Sequence, residues 1–131
     1  MIIDTSAILA ILADEPERPI FNKAIANAPY RGMSAAGFVE ASIVLECRYG
    51  YDGVRDFDLF IAKADIELVP VDSEQAQIAR QAFKQYGKGR HPSGLNFGDC
   101  FSYGLAKAKD DMLLFKGNDF SKTDIKIYKD S

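Results

Sequence analysis

Residues 1–13 read MIIDTSAILAILA. Three apolar residues lead into Asp4, and from Thr5 onward Ala, Ile and Leu recur at helical spacing. A short strand passing straight into a helix is the first half of a βαβ unit, which builds a parallel sheet. Asp4 then falls between the carboxyl end of a strand and the start of a helix. In that place it can cap the helix. It can equally face a ligand, because open α/β sheets bind ligands along that edge. Ser6 can support either role through its hydroxyl.

The rest of the chain continues the alternation. Residues 16–28 have a helical pattern with Ile20, Phe21, Ala24, Ile25 and Ala28 on one side, stopped by Pro29. Residues 31–34 read as a short strand, residues 35–48 as a strong helix closed by Gly50, and residues 54–64 as another helix. ELVPV (residues 67–71) reads as a strand whose Pro70 confines its pairing to an edge or an end. Ser73 is the predicted N-cap of a helix running to about Tyr86, with Glu74 in its first turn. Residues 87–94 (GKGRHPSG) are loop by composition. Residues 98–108 read as a helix, 112–115 as a buried strand and 126–128 as a last short strand. The order predicts one domain, residues 1–131, with a three-layer α/β/α architecture and a mostly parallel sheet.

Composition excludes several classes. With 47% hydrophobic and 27% charged residues, the chain is that of a soluble globular domain. Its longest uncharged apolar stretches, such as residues 5–13, fall short of the roughly 18–20 residues that cross a bilayer. Strand-like residues begin at Ile2, which leaves no room for a signal sequence, so a cytoplasmic location is expected. Cys47 and Cys100 both sit in apolar helical patterns and are expected as reduced, buried thiols. A net charge of −3 argues against nucleic-acid binding through overall charge. Residues 75–98, however, contain no acid and four bases, Arg80, Lys84, Lys88 and Arg90. Such a stretch is either a phosphate-tracking rim or a solvated helix face followed by a loop.

Three further acids stand where Asp4 does, beside apolar segments. Glu40 lies in AGFVEASIVLE, Asp99 in LNFGDCFSYGLA and Asp119 in LLFKGNDF. Helical spacing puts Ala36, Glu40, Ile43, Val44 and Cys47 on one face, which predicts that Glu40 points inward. A carboxylate aimed into a protein needs a cation, a donor network, a salt bridge or a pocket mouth. Asp99 follows Asn96 by three residues, a weak capping box at a helix start. Asp119 sits in a Lys-Gly-Asn turn that turn chemistry alone would explain. A parallel sheet would bring all four to one edge. Two carboxylates about 4 Å apart repel by roughly 4 kcal/mol at an effective dielectric near 20, so the cluster calls for a cation. Mg²⁺ or Mn²⁺ suits oxygen donors and phosphate substrates, and it would activate water for phosphodiester cleavage.

Absent motifs narrow the choice. No G-x-x-x-x-G-K-[ST] loop, no G-x-G-x-x-G after the first strand and no G-x-S-x-G elbow occur. One histidine and two separated cysteines do not assemble a typical zinc site. The single histidine, His91, lies in the basic loop, where it is better placed to be exposed or touch phosphate than to serve as a general base.

Over essentially its whole length the chain resembles PIN-domain proteins of the VapC toxin family. MIIDTSA is similar to the opening motif, FVEASIVLE to the helix of the second acid, LNFGDCFSYGLAK to the third-acid motif and LLFKGNDF to the last. The resemblance implies that Asp4, Glu40, Asp99 and Asp119 are the metal-site acids and Ser6 a supporting hydroxyl. Asn118 stands where some relatives carry another acid, which removes one charge from the site. The family implies a Mg²⁺-dependent endoribonuclease acting on RNA, a homodimer, and inhibition by a VapB-type antitoxin. The dimer surface is expected around Tyr49, Tyr51, Phe57 and Phe60. Two other readings fit the same residues: a PIN nuclease of RNA maturation, and a receiver-like signalling domain. The second lacks an aspartate at the end of residues 31–34, where a receiver carries its phosphorylation site.

Overall fold

The structure is a computed structural model that describes residues 1–130. The opening segment folds as its pattern dictates: β1 (Ile2–Ile3) runs directly into α1 (Thr5–Leu12). There follow α2 (Arg18–Asn27), β2 (Gly32–Ser34), α3 (Ala35–Ala64), β3 (Glu67–Val69), α4 (Ser73–Tyr86), α5 (Phe97–Lys109) and β4 (Leu113–Leu114). The four strands lie in the order β3-β2-β1-β4 and every pairing is parallel. β1 is therefore central, and Asp4 leaves the sheet at its carboxyl edge.

Strand side chains alternate between faces, and each face has its own core. Ile3, Met33 and Leu114 pack with α1, α2 and α3 through Ile8, Phe21, Leu45 and Phe57. Ile2 and Leu113 pack with α4 and α5 through Ala82, Tyr86, Tyr103 and Leu105. Helices on both faces of a parallel sheet make the expected three-layer α/β/α domain.

Several expectations need correction. The two helices predicted for residues 35–48 and 54–64 are not among these: α3 holds both, separated at Gly50, whose φ of 67° and ψ of −148° are not helical. That left-handed φ is open to glycine without a Cβ penalty. The buried row of α3 is Gly37, Ala41 and Leu45. Hydrophobicity had pointed to the row with Ile43 and Cys47, but Cys47 is exposed and Ile43 is 55% accessible. The buried row faces α1 and the sheet: a Cβ at Gly37 would stand at ordinary contact distance, 3.4 Å from Thr5 Oγ1 and 3.6 Å from Met33 Cε. Phe57, expected on a dimer surface, is fully buried, and Phe60 packs against the same core. Asp72, not Ser73, caps α4 by accepting the Gln75 N–H at 2.9 Å. The last predicted strand shrinks to a single bridge between Leu113 and Ile127. Both cysteines are free, Cys100 buried as expected. No helix among the described residues is long and apolar enough to cross a membrane.

Candidate active site

Asp4 is held by three donors. Its Oδ2 accepts the Ser6 N–H at 3.0 Å and the Ser6 hydroxyl at 2.7 Å. Its Oδ1 accepts the buried Ser102 hydroxyl at 2.5 Å. Ser6 Oγ in turn accepts the Lys116 N–H at 2.9 Å, which ties the turn after β4 to the start of α1. Asp4 thus caps α1 and remains at the sheet edge: the structural role and the site position coexist.

Asp99 enters from α5. The expected capping box is complete: Asn96 Oδ1 accepts the Asp99 N–H at 2.9 Å, and Asp99 Oδ2 accepts the Asn96 N–H at 3.0 Å. The side chain is buried. Burial pushes its pKa up to about 8; the Asn96 backbone bond works against this, while Asp4 and then Asp119 add to it. A carboxyl in that state is crowded by neighbouring acids and short of positive charge. Lys116 does not relieve it, because its Nζ bonds to Glu15 at 2.5 Å and lies 3.3 Å from Glu17.

Asp119 is exposed, in the turn after β4. Its neighbour Phe120 is buried and stacks edge-on against Phe115 at 5.1 Å, which anchors the turn. Glu40 is also exposed, contrary to the inward orientation its helix pattern predicted. It nevertheless reaches the site from α3: a Cβ added to Gly98 would collide with the Glu40 carboxylate. Glu40 therefore lies against the first turn of α5, where the helix dipole favours an anion. Glycine at 98 is what makes that approach possible.

Asp4 and Asp119 thus lie near enough to perturb Asp99, and Glu40, from α3, lies against Gly98, the residue before Asp99. Among the described residues, no three acids, cysteines or histidines close into a ready-made metal-binding group. The donors are carboxylate and hydroxyl oxygens, which suit a hard cation. Mg²⁺ keeps several waters and needs only one or two protein carboxylates, so this open arrangement fits it. Two contributors escaped the sequence reading. Ser102 lies three residues after Asp99 on the same helical face, and that D-x-x-S spacing was a usable signal. Gly98 had no local signal, since its partner is Glu40 on another helix. His91 is engaged within its own loop: its Nδ1 accepts the Ser93 N–H at 3.0 Å and its ring meets Tyr86 edge-on.

Comparison with known proteins identifies the family. The PIN-domain family model matches residues 1–126. A protein of Mycolicibacterium smegmatis called ribonuclease VapC is 52% identical over 125 residues, covering 95% of this chain and 97% of that protein. The chain belongs to the PIN-domain VapC family. Solved VapC structures share its fold at low sequence identity. VapC20 of Mycobacterium tuberculosis, described as a toxin that cleaves the sarcin–ricin loop, has a TM-score of 0.76 at 16% identity, covering 95% of both chains. VapBC2 of Rickettsia felis, solved on a DNA fragment from its promoter, has a TM-score of 0.74 at 13% identity, covering 96% of this chain and 94% of that one.

Proposed function

We propose that this VapC protein is a Mg²⁺-dependent endoribonuclease and the toxin of a toxin–antitoxin module, restrained by a VapB-type antitoxin. The observation that carries the reading is a buried Asp99 at the carboxyl edge, its carboxyl pushed up first by burial and then by Asp4 and Asp119, while Lys116 is engaged by Glu15. The family membership supports the RNA substrate, and the solved VapBC assembly supports the antitoxin.

Asp4 and Asp99 would hold the cation, with Asp119 and Glu40 at its rim; Mn²⁺ could substitute. The bound ion would supply a water of lowered pKa and offset charge developing on phosphate. The chain's own groups do the rest. Ser6 and Ser102 fix the Asp4 carboxylate, and Asn96 fixes that of Asp99. Glu40, whose carboxylate faces solvent at the α5 N-terminus, can take a proton from an attacking water at its free oxygen. No covalent protein nucleophile is needed. A homodimer in the cytoplasm completes the proposal; exposed Tyr49 and Tyr51, on either side of the Gly50 kink in α3, offer apolar surface for it.

Purified protein should cut RNA with Mg²⁺ and stop on addition of EDTA. Asp4→Asn and Asp99→Asn should each abolish cleavage and growth arrest while the circular dichroism spectrum stays that of the native fold. Full activity in both variants would overturn the assignment.

A further inference from the structure

A groove of about 450 Å³ between α4 and α5 takes no part in the carboxylate site. Its walls include Ala76, Phe83, Phe97, Cys100 and Phe101, with Arg80 among them. Phe97 is 79% exposed although it is aromatic and opens a well-capped helix. It rests edge-on against Phe101, ring centroids 4.8 Å apart and planes at 81°, which limits its motion while most of the ring stays in water. Beside it the Arg90 guanidinium lies 5.5 Å from the centre of the Phe83 ring.

The surroundings specify the occupant. Residues 75–98 carry Arg80, Lys84, Lys88 and Arg90 and no acid. An apolar, aromatic groove with Arg80 in its wall and Arg90 over its Phe83 ring matches a polyanion with planar rings. Single-stranded nucleic acid is bound in this way, by bases stacked on aromatic side chains and a backbone followed by cations. Phe97 is two residues before Asp99, about 3 Å along the helix axis and on the other side of the helix. A base seated there belongs to a nucleotide next to, rather than at, the scissile bond.

We propose that Phe97 is a base-stacking platform for the single-stranded RNA substrate, with Arg80 and Arg90 following the adjoining phosphates. The inference rests on the ribonuclease reading and adds to it the form of the substrate and the residue that orients it.

The chain contains no tryptophan, so Phe97→Trp gives a single fluorescent reporter at the proposed contact. In EDTA, a short single-stranded RNA should quench that fluorescence, and an abasic oligonucleotide of equal length and charge should not. Phe97→Ala should weaken RNA binding about tenfold (~1.4 kcal/mol), and Phe97→Tyr should restore it. With Mg²⁺, Phe97→Ala should raise KM far more than it lowers kcat. Equal affinity of Phe97→Ala and wild type, or equal quenching by the abasic strand, overturns the proposal. So does a change in the protein's solution mass on Phe97→Ala with RNA affinity intact, since the groove then serves a protein partner. Wild type that cleaves RNA while Phe97→Ala behaves identically refutes only the stacking role. Base-dependent quenching in a protein that does not cleave refutes only the catalytic reading.

Discussion

Replacing Asp99 with asparagine should make the metal-free protein more stable at neutral pH while removing its activity. The carboxyl has a pKa of about 8 in the fold against an ordinary 3.8. Between those values the folded state holds a proton that the unfolded chain has released, so stability falls as pH rises through the window. Below 3.8 the penalty is absent, and above about 8 it is fully developed. At pH 7 roughly three pH units of the shift are expressed, or ~4 kcal/mol without screening. Water at the open mouth of the site screens these charges, which brings the figure to about 2 kcal/mol. Asparagine retains an oxygen for the Asn96 N–H and carries no charge, so it should recover most of that. For a domain of this size the gain corresponds to ~6 °C in Tm. Thermal melts of wild type and Asp99→Asn in EDTA, from about pH 4 to pH 8, isolate the group, because other titrations cancel in the difference. The difference should be near zero at the acid end and grow toward pH 8. Mg²⁺ should raise the wild-type Tm at pH 8 and leave the variant nearly unchanged. A pH-independent difference, or a variant less stable than wild type at pH 8, would refute the reasoning.

Two other substitutions separate site geometry from fold stability. Gly98→Ala should displace the Glu40 carboxylate and cut RNA cleavage by about tenfold or more, while helix propensity, worth up to ~1 kcal/mol in alanine's favour, holds or raises Tm; a coincident collapse of Tm would point to misfolding instead. Ser102→Ala should cost about 1–3 kcal/mol by denaturant unfolding, because it leaves a buried carboxylate oxygen without its donor. It should also lower Mg²⁺ affinity in calorimetric titration, and unchanged affinity would remove Ser102 from the site.

The sequence made the βαβ opening and the Asn96–Asp99 cap readable because both are local: neighbours in the chain are neighbours in space. It misled at α3. There the buried row of Gly37, Ala41 and Leu45 is less hydrophobic than the exposed one, on which Val39 is 53% and Ile43 is 55% accessible. α3 presents the less hydrophobic row to Thr5 and Met33, and that packing is a tertiary effect. Glu40 was selected for an inward orientation it does not have. It reaches the acids through space left by Gly98, 58 positions further on, and periodicity within one helix carries no trace of such a pair. Asp4 and Ser102 are likewise joined across the domain, so only the Asp99–Ser102 spacing hinted at the bond.

The Asn96 cap has a consequence for which ions the site can prefer. Asp99 Oδ2 is engaged with a backbone N–H, which leaves Oδ1 as the oxygen free of a helix bond. A cation meeting this residue would find Oδ1 with both lone pairs free and Oδ2 with one already committed. Calcium, which draws on six to eight oxygens and favours two-oxygen carboxylate contacts, loses most from that restriction. A small octahedral ion that asks one oxygen of each carboxylate would lose least, so the helix cap would bias a bound ion by its size.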